Sequence, residues 1–298
     1  MGPRVKTAVV LMAYGSPERA EDIPAYFADI RGGRPIRPEA VAELTERYRR
    51  IGGRSPLNGI TETQAGALER ELGIPVHVGM KHWHPRIAEA AERALAGGAE
   101  HIVGLVLAPH YSRISIGGYR ERLEEAVPDG VDLTFVESWH DHEPFLDVLA
   151  ERVRGSDAHV VFTAHSLPAR ILAEGDPYCE QLLQTSRLVA DKAGVNRWSF
   201  AFQSESPTGE PWLGPDILDE LEALHGRGVE KVLVAPVGFV SDHLEILWDI
   251  DVRAREKAAE LGLELERIES LNDDPAFIRA LGDLVKQASA APARIGAE

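Results

Sequence analysis

One cysteine, Cys179, stands among 298 residues. An intrachain disulfide is therefore excluded, as is a zinc or iron–sulfur site built from several cysteines of one chain. No stretch approaches the roughly 20 consecutive apolar residues that a membrane-spanning helix needs. The N-terminus, MGPRVKTAVVLMAYG, runs straight into a strand pattern instead of the three regions of a signal peptide, so the expectation is a cytoplasmic protein. Positive charge is in deficit: 32 Lys+Arg against 48 Asp+Glu leave a net charge of −16. Nucleic acid is thereby disfavoured, because binding it needs a basic footprint that displaces phosphate counterions. Missing motifs narrow the chemistry further. Without G-x-G-x-x-G after the first strand or a Walker A loop, dinucleotide and NTPase readings lose their sequence support. Neither H-E-x-x-H nor G-x-S-x-G occurs, which removes the commonest zinc-protease and serine-hydrolase signatures.

What is present looks globular, with 44% hydrophobic and 27% charged residues. A chain of this length suits two α/β halves of about 150 residues each, divided here as residues 1–155 and 156–298. The charge is unevenly shared. The first half carries 19 Lys+Arg and 23 Asp+Glu, the second 13 and 25. Seven arginines fall between Arg31 and Arg54 against only Glu39, Glu43 and Glu46. An anionic ligand is expected beside that segment and a cation nearer the second half.

Short apolar runs alternate with helical periodicity along the whole chain. Strands are expected at 8–13, 76–80, 102–108, 133–136, 159–164, 199–203, 232–235 and 263–268, with helices between them, among these 38–50, 61–72, 85–96 and 275–287. The tail from 288 onward reads as frayed. A worn repeat is visible: GGAEHIVGLVLAPHYS resembles RGVEKVLVAPVGFVS, and Ala13-Tyr14-Gly15 has a counterpart in Ala164-His165-Ser166. The fold class is therefore α/β: two similar, doubly wound, Rossmann-like halves with parallel four-stranded sheets facing a cleft. Tyr14 and His165 are expected to oppose each other across it.

The stretch KVLVAPVGFVSDHLEILWDIDVR, residues 231–253, organises the rest. A buried strand ends at Pro236, and Asp242 with Glu245 has the D-x-x-E spacing of a capping box. Glu245, Asp249 and Arg253 then recur every four residues, on one face of a helix that starts at the carboxyl end of a strand. Ligands bind at such ends in open α/β sheets. Taken alone, the segment favours a bland reading, in which Glu245 caps a helix and His243 is a surface loop residue.

Seven segments in order, AYGSP, RYRRIGGRSPLNGIT, GMKHW, LAPHYS, FTAHSLP, SESPTGEPWLGP and PVGFVSDHLEILWDID, resemble ferrochelatases over nearly the whole chain. That resemblance implies insertion of Fe²⁺ into a porphyrin with release of two pyrrole protons. A pyrrole N–H needs a base, and Fe²⁺ accepts imidazole and carboxylate ligands without thiolate. By resemblance, His165 and Glu245 form the catalytic, metal-handling pair in the second half, and Asp249 continues an acidic path. Where some relatives have a further carboxylate this chain has Arg253, so the path stops at Asp249 or borrows Asp251 or Glu256. In one branch, which acts on coproporphyrin III, a tyrosine at the position of Tyr14 ligates the product iron. That branch's porphyrin contacts map onto Arg31, Arg47, Tyr48, Ser55 and Tyr119, and Lys81 and His82 belong to a motif lining the same cleft. The arginines favour coproporphyrin III on their own account, since it has four propionates where protoporphyrin IX has two.

Fe²⁺ is then a substrate, and the resemblance implies no permanently bound cofactor. Those relatives that carry a [2Fe–2S] cluster hold it with cysteines that this chain lacks. The partners implied are coproporphyrin III, Fe²⁺ and a downstream haem-synthesis enzyme, with no nucleic acid and a monomeric chain. Two alternatives stay open: a protoporphyrin IX ferrochelatase, and a haem or porphyrin carrier in which Tyr14 alone binds iron. His82, His84, His140 and His142 suggest a structural zinc by number only. Trp83, Trp212 and Trp248 read as packing residues first and cleft wall second.

Overall fold

The computed structural model describes residues 6–206 and 209–290. Strands β1 (Thr7–Ala13), β2 (Val76–Met80), β3 (His101–Val106) and β4 (Asp132–Val136) form one sheet in the order β2-β1-β3-β4. Strands β5 (His159–His165), β6 (Trp198–Gln203), β7 (Lys231–Ala235) and β8 (Glu264–Arg267) repeat that order as β6-β5-β7-β8. All pairs are parallel. The two segments of the sequence repeat thus fall on equivalent strands, β1 with β5 and β3 with β7.

The connecting helices are α1 (Ile23–Ile30), α2 (Pro38–Arg50), α3 (Leu57–Leu72), α4 (Ile87–Ala96), α5 (Gly118–Ala126), α6 (Glu143–Val153), α7 (Tyr178–Ala193), α8 (Ile217–Gly226), α9 (Arg255–Leu261) and α10 (Pro275–Ala290). Because helices cover both faces of the first sheet's inner strands, β1 is apolar from Ala8 to Ala13 and its alternate residues feed two cores. Ala8, Val10 and Met12 pack with Ile87 and Ala91 of α4 and with Leu123 of α5. Val9 and Leu11 pack with Leu68 of α3, Leu146 of α6 and Leu281 of α10. This second core continues into Val160 and Phe162 of β5, Val189 of α7 and Leu233 of β7, so one apolar cluster joins the two sheets. Helix α10 packs back on α3 and α6.

Several boundaries differ from the sequence expectation. Helix α3 starts at Leu57, four residues before 61, directly after Pro56. Asn58, which reads as a loop residue, sits in its first turn and spends its side chain on Ser16, accepting from the Ser16 N–H (3.0 Å) and donating to the Ser16 carbonyl (2.8 Å). Helix α4 begins at Ile87 rather than Pro85, since the Glu89 carboxylate accepts the Arg86 backbone N–H at 2.6 Å and fixes the start there. Strand β3 ends at Val106, not 108. Helix α10 continues to Ala290, so residues 288–290 are not frayed; the rest of that expected tail, 291–298, lies outside the described residues. No helix of the described residues is long and apolar enough to cross a membrane.

Candidate active site

The carboxyl ends of β1 and β5 deliver Tyr14 and His165 to one cavity of about 640 Å³. After Tyr14 the chain turns at Gly15 (φ +85°), where a Cβ would come within 2.8 Å of the Trp83 Cβ. Only glycine lets the Tyr14 turn lie so close to the KHWH segment. The third strand of the second sheet does the same with Gly238, whose Cβ would fall 2.4 Å from that of Ala164. The chain leaving β7 therefore folds tightly over β5 and brings Glu245 to His165.

The expected capping box does not form. The Asp242 carboxylate accepts from Ser270 (2.7 Å) and Asn272 (2.9 Å) and pairs with Arg267 (3.2 Å), which ties the turn to the segment after β8. Glu245 is left free to face the cavity. Beyond it the helix widens into a π-helical stretch, Ile246–Ala254, before tightening into α9. Such departures from α geometry are frequent at functional sites.

Glu245 lies between two imidazoles. Its Oε1 is 3.4 Å from His165 Nε2 and its Oε2 is 3.5 Å from His243 Nε2. The Nδ1–H of His165 donates to the Ser166 carbonyl, and Tyr178 donates its hydroxyl to the His165 carbonyl at 3.0 Å. Burial by itself would lower the His165 pKa, but the Glu245 carboxylate, with Asp249 behind it, overrides burial and holds it up at about 9. Burial would likewise raise Glu245; His165 and then His243 reverse that and keep it ionised. The surface that both side chains retain opens into the cavity. Asp249 is almost fully enclosed, its pKa raised by burial, with Ser204 donating at 2.6 Å and Arg253 pairing at 3.1 Å. Neither carboxylate suggested as an extension is available: Asp251 pairs with Arg267 at 2.8 Å and Glu256 with Arg50 at 2.5 Å. Among the described residues, the row of carboxylates running from the cavity along this helix ends at Asp249 under Arg253.

The opposite wall is tyrosine-rich. Tyr14 is 40% exposed, into the cavity, and its pKa is raised by burial and then by Glu245 and Asp29. Tyr48 exchanges a hydrogen bond with Ser16 (2.9 Å) and is pushed up to about 12 by burial. Tyr119 lies 4.7 Å beneath the Lys81 ammonium, which donates to the Ser115 carbonyl at 2.9 Å. Burial, with Arg122 nearby, lowers Lys81 to about 8. His82 Nδ1 is 2.8 Å from Asp29, and its ring is 4.5 Å from that of Tyr14.

Tyr14, Tyr48, Ser55, Lys81, Tyr119, His165 and Glu245 all line the cavity, whereas Arg31, Arg47 and Asp249 do not. Arg47 points to Glu43 at 2.5 Å, and Arg31 ends α1 with its Nε buried and unpartnered. Sequence reasoning missed Arg34, His110 and His243 as lining residues, and Asp29 as the partner of His82. His243 was within reach, two residues before Glu245. Asp29 was not, since 53 residues separate it from His82. Trp212 forms cavity wall, Trp83 packs on the core, and Trp248 lies under Arg50 at 5.5 Å. The histidines of the zinc reading are dispersed: His84 faces Glu89, His140 meets Ser138 and Gln184, and His142 meets the Ala280 carbonyl. No group of three or more His, Cys, Asp or Glu among the described residues is arranged to hold a metal ion.

Comparison with known proteins agrees with this arrangement. The family model described as Ferrochelatase matches residues 6–289. The ferrochelatase of Herpetosiphon aurantiacus is 44% identical over 299 residues, covering 94% of this chain and 98% of that protein. The coproporphyrin III ferrochelatase of Geobacillus kaustophilus is 42% identical over 301 residues, covering 94% and 95%. Among solved structures, SirB from Bacillus subtilis with Fe³⁺ shares the two-lobed fold with a TM-score of 0.61 at 11% identity, covering 96% of each chain.

Proposed function

The chain belongs to the ferrochelatase family and inserts metal into a porphyrin in haem synthesis, and from that premise we propose that its substrates are Fe²⁺ and coproporphyrin III, and its product coproheme. The observation that carries the reading is the division of charge around one cavity. Glu245, with His165 and His243, stands at the end of the second sheet, while Lys81 and Arg34 line the first-half wall with Tyr14. A tetra-anionic porphyrin held by basic groups on one wall presents its inner nitrogens to a carboxylate–imidazole couple on the other. The coproporphyrin III ferrochelatases of Geobacillus kaustophilus and Geobacillus thermodenitrificans, 42% and 40% identical, lend support, whereas other relatives at like identity are named ferrochelatase alone.

In this reading His165 and Glu245 receive the metal and take the two pyrrole protons that it displaces. The couple is suited to both tasks. Glu245 remains ionised, and a proton on His165 leaves when a cation arrives, because ligation requires the neutral imidazole. Asp249, where the row of carboxylates ends, holds a negative charge behind the couple that favours protonation of His165, and Arg253 balances that charge. Tyr14 ligates the iron of the product from the other wall. Its raised pKa keeps it a phenol in the empty cleft, and the iron's own charge then favours the phenolate. Tyr48, Ser55 and Tyr119 hold the porphyrin with Lys81 and Arg34, all of which line the cavity, while Arg31 and Arg47, set back from it, contribute only positive charge to that half.

Anaerobic turnover with Fe²⁺, followed through the porphyrin absorption bands with coproporphyrin III and protoporphyrin IX in parallel, tests this. At least tenfold higher kcat/KM for coproporphyrin III is expected, about 1.4 kcal/mol of discrimination. Preference for protoporphyrin IX would leave a ferrochelatase and remove the substrate assignment.

A further inference from the structure

Tyr14 lacks a visible anchor. Among the described residues, no hydrogen bond holds its hydroxyl, and the backbone turns away at once through Gly15. The ring rests instead on His82, centroid to centroid 4.5 Å at 52°. His82 is in turn held at two points: its backbone N–H donates to the Tyr14 carbonyl at 2.9 Å, and its Nδ1 meets Asp29 Oδ2 at 2.8 Å. Asp29 is itself clamped. Its second oxygen, Oδ1, pairs with Arg86 Nη2 at 3.1 Å, while Arg86 Nη1 donates to the Lys81 carbonyl at 3.3 Å. Arg86, Asp29, His82 and Tyr14 therefore form a continuous row that runs from the molecular surface into the cavity, and each member fixes the next.

We propose that Asp29 is a positioning residue for the product-iron ligand: locked by Arg86, it fixes the His82 ring, and that ring fixes the attitude of the Tyr14 phenol. The inference rests on the reading of Tyr14 as that ligand. A phenol resting on a mobile imidazole would sample several χ angles, and only some of them aim its oxygen at an iron in the cavity. A ring pinned by a carboxylate removes that freedom before the product forms, which is the way supporting hydrogen bonds preorganise metal ligands elsewhere. Neither Asp29 nor Arg86 lines the cavity, so both act through His82.

The test is to load purified protein with ferric coproporphyrin III and record its visible charge-transfer absorption and the resonance Raman modes of an iron-bound phenolate. The variants are Tyr14→Phe, Asp29→Ala, Asp29→Asn and Arg86→Gln. Tyr14→Phe is expected to abolish the phenolate signature. Asp29→Ala is expected to keep the iron porphyrin bound while weakening the signature several-fold, on the order of tenfold if misplacement is severe. Asp29→Asn, whose amide oxygen can still accept from Nδ1–H, is expected to recover most of it, and Arg86→Gln to lose an intermediate share. A lost carboxylate that harmed only stability would lower the unfolding midpoint without this order. An unchanged signature in Asp29→Ala, with Tyr14→Phe silent in the phenolate modes, overturns the positioning role and leaves the ligand assignment standing. An unchanged signature in Tyr14→Phe removes both. Should Asp29→Ala fail to fold, Arg86→Gln, at a side chain only 32% exposed yet peripheral to the cavity, carries the same decision.

Discussion

Each half of the molecule sets an imidazole that lines the cleft against a carboxylate. In the first half His82 lies 2.8 Å from Asp29; in the second His165 lies 3.4 Å from Glu245. The closer pair has the less basic histidine. His82 is lowered to about 4, first by burial, with Lys81 and Arg122 reinforcing burial against Asp29, whereas His165 is held up at about 9. Distance is therefore not what decides. Asp29 shares its charge with Arg86 and looks out on a basic wall, so it cannot offset the desolvation of His82. Glu245 has no arginine or lysine partner among the described residues, and its full charge falls on His165 and His243. One fold, used twice, thus supplies a neutral imidazole beside a basic wall in one half and a charged imidazole–carboxylate couple in the other.

The largest expected effect comes from erasing that contrast at its source. Glu245→Gln keeps the size of the side chain but can neither ionise nor take a proton. Turnover should fall by about 10²–10⁴-fold, the usual range for a lost proton-transfer group, while the affinity for porphyrin, measured by fluorescence quenching, should change by no more than about threefold if, as proposed, the propionates are held on the other wall. Turnover close to that of the wild type in this variant would remove Glu245 from the reaction.

The contrast should also appear in stability, as two limbs of opposite sign. His165 has a folded pKa above its unfolded value of about 6.5, so its contribution is fully present below that pH and is lost as pH rises toward about 9. His82 has a folded pKa below it, so the unfolded chain binds the extra proton and stability is lost as pH falls from about 6.5 toward 4. Urea unfolding across pH 4.5–9.5 should therefore show a maximum near neutrality, with on the order of 1–2 kcal/mol lost on the alkaline side after allowance for solvent reaching the cavity. Glu245→Gln should flatten the alkaline limb and spare the acid one. His82→Gln should only shrink the acid limb, because His110, also pushed down by burial to about 3, titrates on the same side. An alkaline limb that survives in Glu245→Gln would mean that the pair does not couple to folding.

Why the sequence revealed the second half's arrangement of residues more fully than the first's follows from chain separation. Glu245, Asp249 and Arg253 share a helix face, so a four-residue spacing displayed them, and the strand repeat paired β1 with β5 and thereby Tyr14 with His165. Strand and helix periodicity conveyed the two parallel sheets because their inner strands, β1, β3, β5 and β7, are buried on both faces and read as short, largely apolar runs. Local signals also misled. The D-x-x-E of Asp242 and Glu245 has the spacing of a cap, yet Arg267, Ser270 and Asn272, distant in sequence, capture Asp242 and release Glu245. A helix start hidden behind Pro56 and Asn58 was obscured because the Asn58 side chain serves Ser16, 42 residues away. The arginine-rich segment did not disclose which of its members face the cavity: Arg34 lines it, while Arg47 turns to Glu43. Asp29 had no signal at all, because its meetings with His82 and with Arg86 exist only once α1, β2 and α4 are packed.

The smallest effect is the sharpest probe of the comparison. If charge sharing is what separates the two pairs, removing the sharer should move the first half toward the second. Arg86→Gln leaves Asp29 with its contact to His82 but without the 3.1 Å guanidinium. The His82 pKa should then rise by about 0.5–1 unit, the scale of a charge partner at a partly solvated site, while remaining below the ordinary value, since burial outweighs Asp29 among its causes. NMR titration of the His82 ring proton, with His165 as an internal reference that should not move, measures this directly. A His82 titration unaffected by the substitution would mean that burial and the Lys81–Arg122 wall alone keep the imidazole neutral. Asp29 would then contribute orientation without charge, and the difference between the halves would lie in what surrounds the pair instead of in how its carboxylate is shared.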